Sequence, residues 1–173
     1  MGLKSKLANR ILNSKLSSVN REKKVFNLDS AQTAGILWES NQKDSFDLLE
    51  KELKTAKIET VGLCYFQSKK AVIPSEINGF TRKQTTWSGI PKTTRAEDFI
   101  QQKFDLLIDL TRQSFFPLVY VTALSEATFK IGSSGFAVNY FDLNIEFREQ
   151  PETSQLTEQI LYYLRRINKT TIE

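Results

Sequence analysis

Three unbroken apolar runs constrain this chain more than any other feature. They are Ala34-Gly35-Ile36-Leu37-Trp38, Val61-Gly62-Leu63-Cys64-Tyr65-Phe66 and Leu106-Leu107-Ile108. They are three to six residues long and rich in branched or aromatic side chains, and none alternates with polar residues. Such runs suit strands covered on both faces, the condition of a parallel sheet packed between helices. The third run lies within Phe104-Asp105-Leu106-Leu107-Ile108-Asp109-Leu110-Thr111-Arg112, which ends in an acid and a base. Helix-length segments lie on either side, so this stretch is expected to be a central strand.

Helical patterns alternate with the apolar runs. Phe46, Leu49 and Leu53 make an i, i+3, i+7 stripe after the first run, with Ser40 or Asn41 as the expected N-cap. Thr94-Arg95-Ala96-Glu97 has a capping-box pattern opening a helix to about Lys103. Pro117 suits the first turn of a helix over Leu118 to about Glu126. Ala127 to Gly132 reads as a short strand, and Ser133-Ser134-Gly135 as a turn. From Tyr140 to Phe147 apolar and polar residues alternate, which predicts an edge or antiparallel strand. Leu156, Ile160, Leu161, Leu164 and Ile167 then stripe one side of a helix over 154–168.

The order predicts an α/β fold: a three-layer sandwich with a mostly parallel, Rossmann-like sheet. One antiparallel or edge strand is expected near the C-terminus. The predicted organisation is a basic N-terminal helix in residues 1–24 and one α/β domain over 25–173. That helix, over 3–20, is only modestly amphipathic and contains Asn13, Ser14, Ser17, Ser18 and Asn20, all weak helix formers. It needs a surface to dock on, its own domain or a partner.

Residues 67–93 are too long for a simple connection. Pro74, Gly79, Gly89 and Pro91 punctuate them, and a short strand or hairpin is expected near Lys70–Ile73 and Gln84–Trp87.

Composition removes much chemistry. The chain has no histidine and one cysteine, Cys64. Ser-His-Asp and Cys-His catalysis, His-ligated zinc and iron–sulfur ligation are therefore excluded. Cys64 sits inside an apolar run and reads as an inert core residue; an intramolecular disulfide is impossible and a reducing, cytoplasmic setting is expected. No apolar run reaches the roughly 18 residues of a membrane span, and no secretory leader is apparent.

Charge is unevenly placed. The net charge is +4, but residues 1–24 carry a local +6, residues 67–93 a local +4, and the remainder −6. The cations are Lys4, Lys6, Arg10, Lys15, Arg21, Lys23 and Lys24 in the first segment, and Lys69, Lys70, Arg82, Lys83 and Lys92 in the second. The second segment also holds Phe80 and Trp87. Cations attract phosphates and exposed aromatics stack on bases, so these segments are candidate nucleic-acid contacts. The bland alternative is that the aromatics pin the loop and the cations are solvated. A membrane-surface helix would want aromatics on its apolar face, and residues 1–20 have none.

Asp109, Thr111 and Arg112 form a second candidate site, past the carboxyl end of a strand where open parallel sheets hold ligands. Arg112 would suit a phosphate, and Asp109 a ribose hydroxyl or a metal. Alternatively, Asp109 caps the next turn and Arg112 pairs with a surface acid. Gly35 and Gly62 lie within strands and no G-x-G-x-x-G or Walker pattern is present, so no dinucleotide cofactor is expected. Asp105, Glu126 and Asp142 could join Asp109 in a carboxylate set, but no spacing forces it, and no metal is expected.

Several stretches together resemble a bacterial family of domains of unknown function. They are Thr33-Ala34-Gly35-Ile36-Leu37-Trp38, Val61 to Phe66, Asp98 to Leu110, Phe116-Pro117-Leu118 and Phe129-Lys130-Ile131-Gly132. The resemblance spans most of the chain and implies no activity. Residues 104–132 are also similar to the N-terminal half of heptosyltransferase-type glycosyltransferases. A chain of this length has no room for their second Rossmann domain, so no residue role is carried over. The expectation is a non-catalytic protein that binds RNA or a ribonucleoprotein such as the ribosome through its basic segments. The alternatives are a nucleotide- or sugar-nucleotide-binding domain at Asp109–Arg112 and a protein–protein scaffold subunit.

Overall fold

The computed structural model describes residues 3–111, 115–133, 138–147 and 152–167. The apolar runs become parallel strands β1 (Thr33–Glu39), β2 (Glu59–Phe66) and β4 (Leu106–Asp109). With β3 (Gly79–Thr81), β5 (Phe129–Gly132) and β6 (Leu143–Asn144) they form one sheet in the order β3-β2-β1-β4-β5-β6. Every pairing is parallel. This is the strand order of a Rossmann-type doubly wound sheet, whose order reverses between β1 and β4.

Helices cover both faces. Ile36, Trp38, Ile108 and Ile131 face α2 (Lys43–Thr55) and α5 (Thr153–Arg166), where they pack with Leu49, Leu53, Ile160 and Leu164. Leu37, Leu63, Tyr65 and Leu107 face α3 (Thr94–Gln101) and α4 (Phe116–Leu124). Adjacent strand residues point to opposite sides, so an apolar run supplies both cores at once. Gly35 and Gly62 are glycine for packing. A Cβ at Gly35 would lie 2.7 Å from the Phe104 ring, and one at Gly62 would lie 2.7 Å from the Phe46 ring.

The N-terminal helix α1 (Leu3–Leu16) lies outside this sandwich on α4. Leu12 is buried with Tyr120, Ala123 and Leu124, and Leu16 and Val19 pack beside them. Its docking surface is thus its own domain. The helix ends short of residue 20 because Ser17 and Ser18 return their hydroxyls to the carbonyls of Ser14 and Lys15.

Four local expectations change. The strand of the 67–93 segment is Gly79–Thr81, parallel to β2, and a single antiparallel bridge joins Thr85 to Pro91. Neither Lys70–Ile73 nor Gln84–Trp87 is a strand, because buried Phe80 fixes the pairing instead. The residue before α2 is Gln42, with no side-chain cap, in place of Ser40 or Asn41. Helix α3 is entered from Thr93, again with no side-chain cap bond, so Thr94 is already its first residue. Of Tyr140–Phe147 only Leu143–Asn144 pair, as a parallel edge strand. The expected turn at Ser133-Ser134-Gly135 falls largely outside the described residues.

Candidate functional site

The carboxyl ends of β1 and β4 form the crevice where folds of this topology admit ligands. Here a side chain fills it. Gln42, 5% exposed, donates from Nε2 to the Leu110 carbonyl at 2.8 Å and accepts the Glu39 N–H on Oε1 at 2.9 Å. It therefore ties the end of β1 to the end of β4. Gln67 in turn donates to the Glu39 carboxylate at 3.2 Å.

Asp109 and Thr111 are both buried beside this tie. The Asp109 carboxylate accepts the Thr111 N–H at 2.8 Å, the Thr111 hydroxyl at 2.6 Å and the Thr122 hydroxyl at 3.0 Å. Burial pushes its pKa up to about 6, and the bonds from Thr111 and Thr122 hold it from rising further. The adjoining cavity, walled by Asp109, Thr122, Ser133 and Tyr140 among others, has about 10 Å³ of room for water. That admits roughly one molecule. Arg112 lies outside the described residues.

Thr122 leads on to a group that sequence reading missed. Lys130, 2% exposed, donates from Nζ to the Thr122 carbonyl at 2.7 Å and the Ala123 carbonyl at 3.3 Å. These belong to the last turn of α4, where a cation complements the helix dipole. Burial, with the Arg21 charge second, lowers the lysine pKa to about 7, against the opposing pull of Asp142. The available signal was a lysine in the middle of a short apolar strand. Asp109, Thr122 and Lys130 thus form one buried and mutually satisfied network.

The opposite situation holds past the carboxyl ends of β2 and β3. Phe80 is fully buried and anchors the 67–93 segment, while Trp87 is 61% exposed. A 3-10 turn at Arg82–Gln84 follows β3, with the Gln84 Oε1 accepting the Thr81 N–H at 3.0 Å. A tight loop closed by Thr86 N–H on the Ile90 carbonyl at 2.7 Å then carries Trp87 outward.

Two open depressions flank this loop. One, of about 570 Å³, is lined by Lys69, Lys70, Lys83 and Lys92 with Thr81 and Thr85. The other, of about 440 Å³, is lined by Lys4, Arg82, Trp87, Tyr65, Phe115 and Phe116, together with Thr85 and others. Thr85 belongs to both, so they adjoin. Lys4 Nζ lies 5.0 Å from the Trp87 ring centroid. Among the described residues no acid lines either depression. Among the described residues, none of these six cations has an ion-pair partner.

The structure therefore gathers Lys4, Lys69, Lys70, Arg82, Lys83, Lys92 and Trp87 at one surface. The other basic positions go elsewhere. Lys6 and Arg10 are exposed along α1, and Lys15 lies over the Tyr120 ring at 5.7 Å. Arg21 is bonded through both Nη atoms to Asp142 at 2.7 Å and also to the Ala127 and Thr128 carbonyls. Lys23 is 3.7 Å from Asp142, and Lys24 lies over Phe26. Ala127 and Thr128 precede β5, so Arg21 sits at the amino end of the sheet, opposite the depressions.

Among the described residues no helix is long and apolar enough to cross a membrane, and no group of three or more His, Cys, Asp or Glu could hold a metal ion. The model of a family of unknown function, DUF6913, matches residues 4–167. The chain belongs to that family. No curated protein and no solved structure matches it, and DUF6913 carries no activity to transfer.

Proposed function

We propose that this protein binds RNA, free or within a ribonucleoprotein, through the basic surface past the carboxyl ends of β2 and β3. The observation that carries the reading is the convergence of Lys4, Lys69, Lys70, Arg82, Lys83 and Lys92 on two adjoining depressions that no acid lines among the described residues. Six exposed cations packed this closely repel one another, and a polyanion relieves that repulsion while releasing its counterions. The buried free thiol of Cys64 fits a reducing, cytoplasmic setting. The rival ligand site at Asp109 and Thr111 has less support, since its hydrogen-bonding groups are taken and its cavity has about 10 Å³ of room.

The test is RNA binding as a function of salt, in wild type and in a variant with Lys69, Lys70, Lys83 and Lys92 changed to Ala. Affinity should fall steeply with salt, and each lost phosphate contact should reduce the logarithmic salt slope by about 0.7 for a single strand. Equal affinity and slope in the two proteins would overturn the reading. Point variants are preferable to removing residues 1–24, because that deletion strips Leu12 from α4 and Arg21 from Asp142.

A further inference from the structure

Resting on that reading, we infer that the preferred ligand is single-stranded RNA, one base of which stacks on Trp87 in the 440 Å³ depression while the flanking phosphates follow the lysine groove. The two depressions differ in chemistry. Among the described residues the lysine groove has no aromatic lining. The Trp87 depression is walled by Tyr65, Trp87, Phe115 and Phe116, with Lys4 and Arg82 at its edge. An aromatic slot beside a cationic track is how proteins hold unpaired nucleic acid, because every base offers a flat face and every nucleotide a phosphate.

Trp87 itself needs an explanation. The second tryptophan, Trp38, is buried and stacked on Phe46 at 4.5 Å, which is ordinary core use. Trp87, by contrast, is 61% exposed. Phe80 already pins the segment, and the described ring contact of Trp87 is with the Lys4 ammonium. A loop closed by Thr86 and Ile90 thus exposes a large flat apolar surface to solvent beside two cations. Lys4 is on the first turn of α1, so its long side chain can turn from the ring to a phosphate of the stacked nucleotide. The depression has a volume typical of sites for small flat ligands. In a duplex the bases are already stacked and paired, and an A-form helix offers mainly phosphates and 2′-hydroxyls. Duplex RNA can therefore use the lysines and cannot use Trp87.

The experiment compares an adenylate oligomer of about 12 nucleotides with the same strand annealed to its uridylate complement. Binding is followed by anisotropy at roughly 50 and 200 mM salt, together with tryptophan emission. The single strand should bind more tightly than the duplex and quench emission. Trp87→Ala should weaken single-strand binding by about 5- to 150-fold, the equivalent of ~1–3 kcal/mol per stacked base. It should leave duplex binding and both salt slopes unchanged, and Trp87→Phe should retain most of the affinity. Equal binding of strand and duplex without quenching, or full single-strand affinity in a folded Trp87→Ala protein, overturns the stacking inference and leaves RNA binding standing. Failure of both probes to bind at the lower salt overturns the two together.

Discussion

The buried network of Asp109, Thr122 and Lys130 and the open basic surface around Trp87 both contain charged side chains near strand ends, and they behave oppositely. In the first, each charged group is desolvated and each has found hydrogen-bond partners within the chain. In the second, six cations are exposed and have no ion-pair partner among the described residues. Displaced pKa values mark the buried network, where they follow from burial next to satisfied partners. A perturbed titration therefore points here to architecture. Unrelieved repulsion at an open surface is instead what the RNA-binding proposal rests on.

The largest effect on stability should come from breaking the network. Asp109→Ala strips three donors of their acceptor and should lower unfolding free energy by about 3 kcal/mol, read from the denaturant midpoint. RNA affinity of the folded fraction should be unchanged. A folded Asp109→Asn protein that had lost RNA binding would dissolve the contrast between the two regions.

Next in size is Arg21→Ala, which removes the strap between the segment after α1 and Asp142. About 2 kcal/mol should be lost, again without altering the RNA salt slope. Burial alone would raise the Asp142 pKa, but the Arg21 bonds, the Lys130 N–H and the nearby charges bring it below its ordinary value. The contribution of that carboxylate is therefore present above the ordinary carboxylate range and fades as pH falls through the lowered pKa. In acid the difference between wild type and Arg21→Ala should narrow to what the Arg21 bonds to the Ala127 and Thr128 carbonyls contribute.

A third prediction concerns pH. Asp109 is raised to about 6, so the folded state holds a proton that the unfolded chain releases, and stability should fall as pH rises from about 4 to 6. Lys130 is lowered to about 7, so the unfolded chain holds the extra proton, and stability should rise with pH above about 7. Each limb has a slope of at most about 1.4 kcal/mol per pH unit. Thermal unfolding should show a minimum between about pH 6 and 7. Asp109→Asn should flatten the acid limb and Lys130→Met the alkaline one.

The smallest stability change belongs to the other region. Replacing Lys69, Lys70, Lys83 and Lys92 by Ala should leave stability within about 0.5 kcal/mol, since none of them has an ion pair among the described residues. A gain would be consistent with relieved repulsion. A loss of several kcal/mol would mean that the lysines support the fold, and the contrast would fail.

How much could be read in advance depended on distance along the chain. Continuous runs at 34–38, 61–66 and 106–108 placed three strands, and the stripes at Phe46–Leu53 and Leu156–Ile167 placed two helices, because burial on one or two faces is written in local periodicity. The basic segments were equally visible as composition. Their assembly was not. Lys4 meets Trp87, and Lys69 shares a groove with Lys92, only because β3 pairs with β2 and α1 lies along α4. Phe80 and Trp87 looked alike in sequence, yet one is in the core and the other in solvent.

By itself, then, the sequence determined the class of fold, the absence of histidine chemistry and the location of excess positive charge. Tertiary structure alone decided that Gln42 fills the crevice between β1 and β4, that Lys130 serves the end of α4, and that Asp109 faces partners within the chain. Periodicity is a property of neighbours in sequence. Satisfaction of a buried polar group depends on atoms brought together across tens of residues.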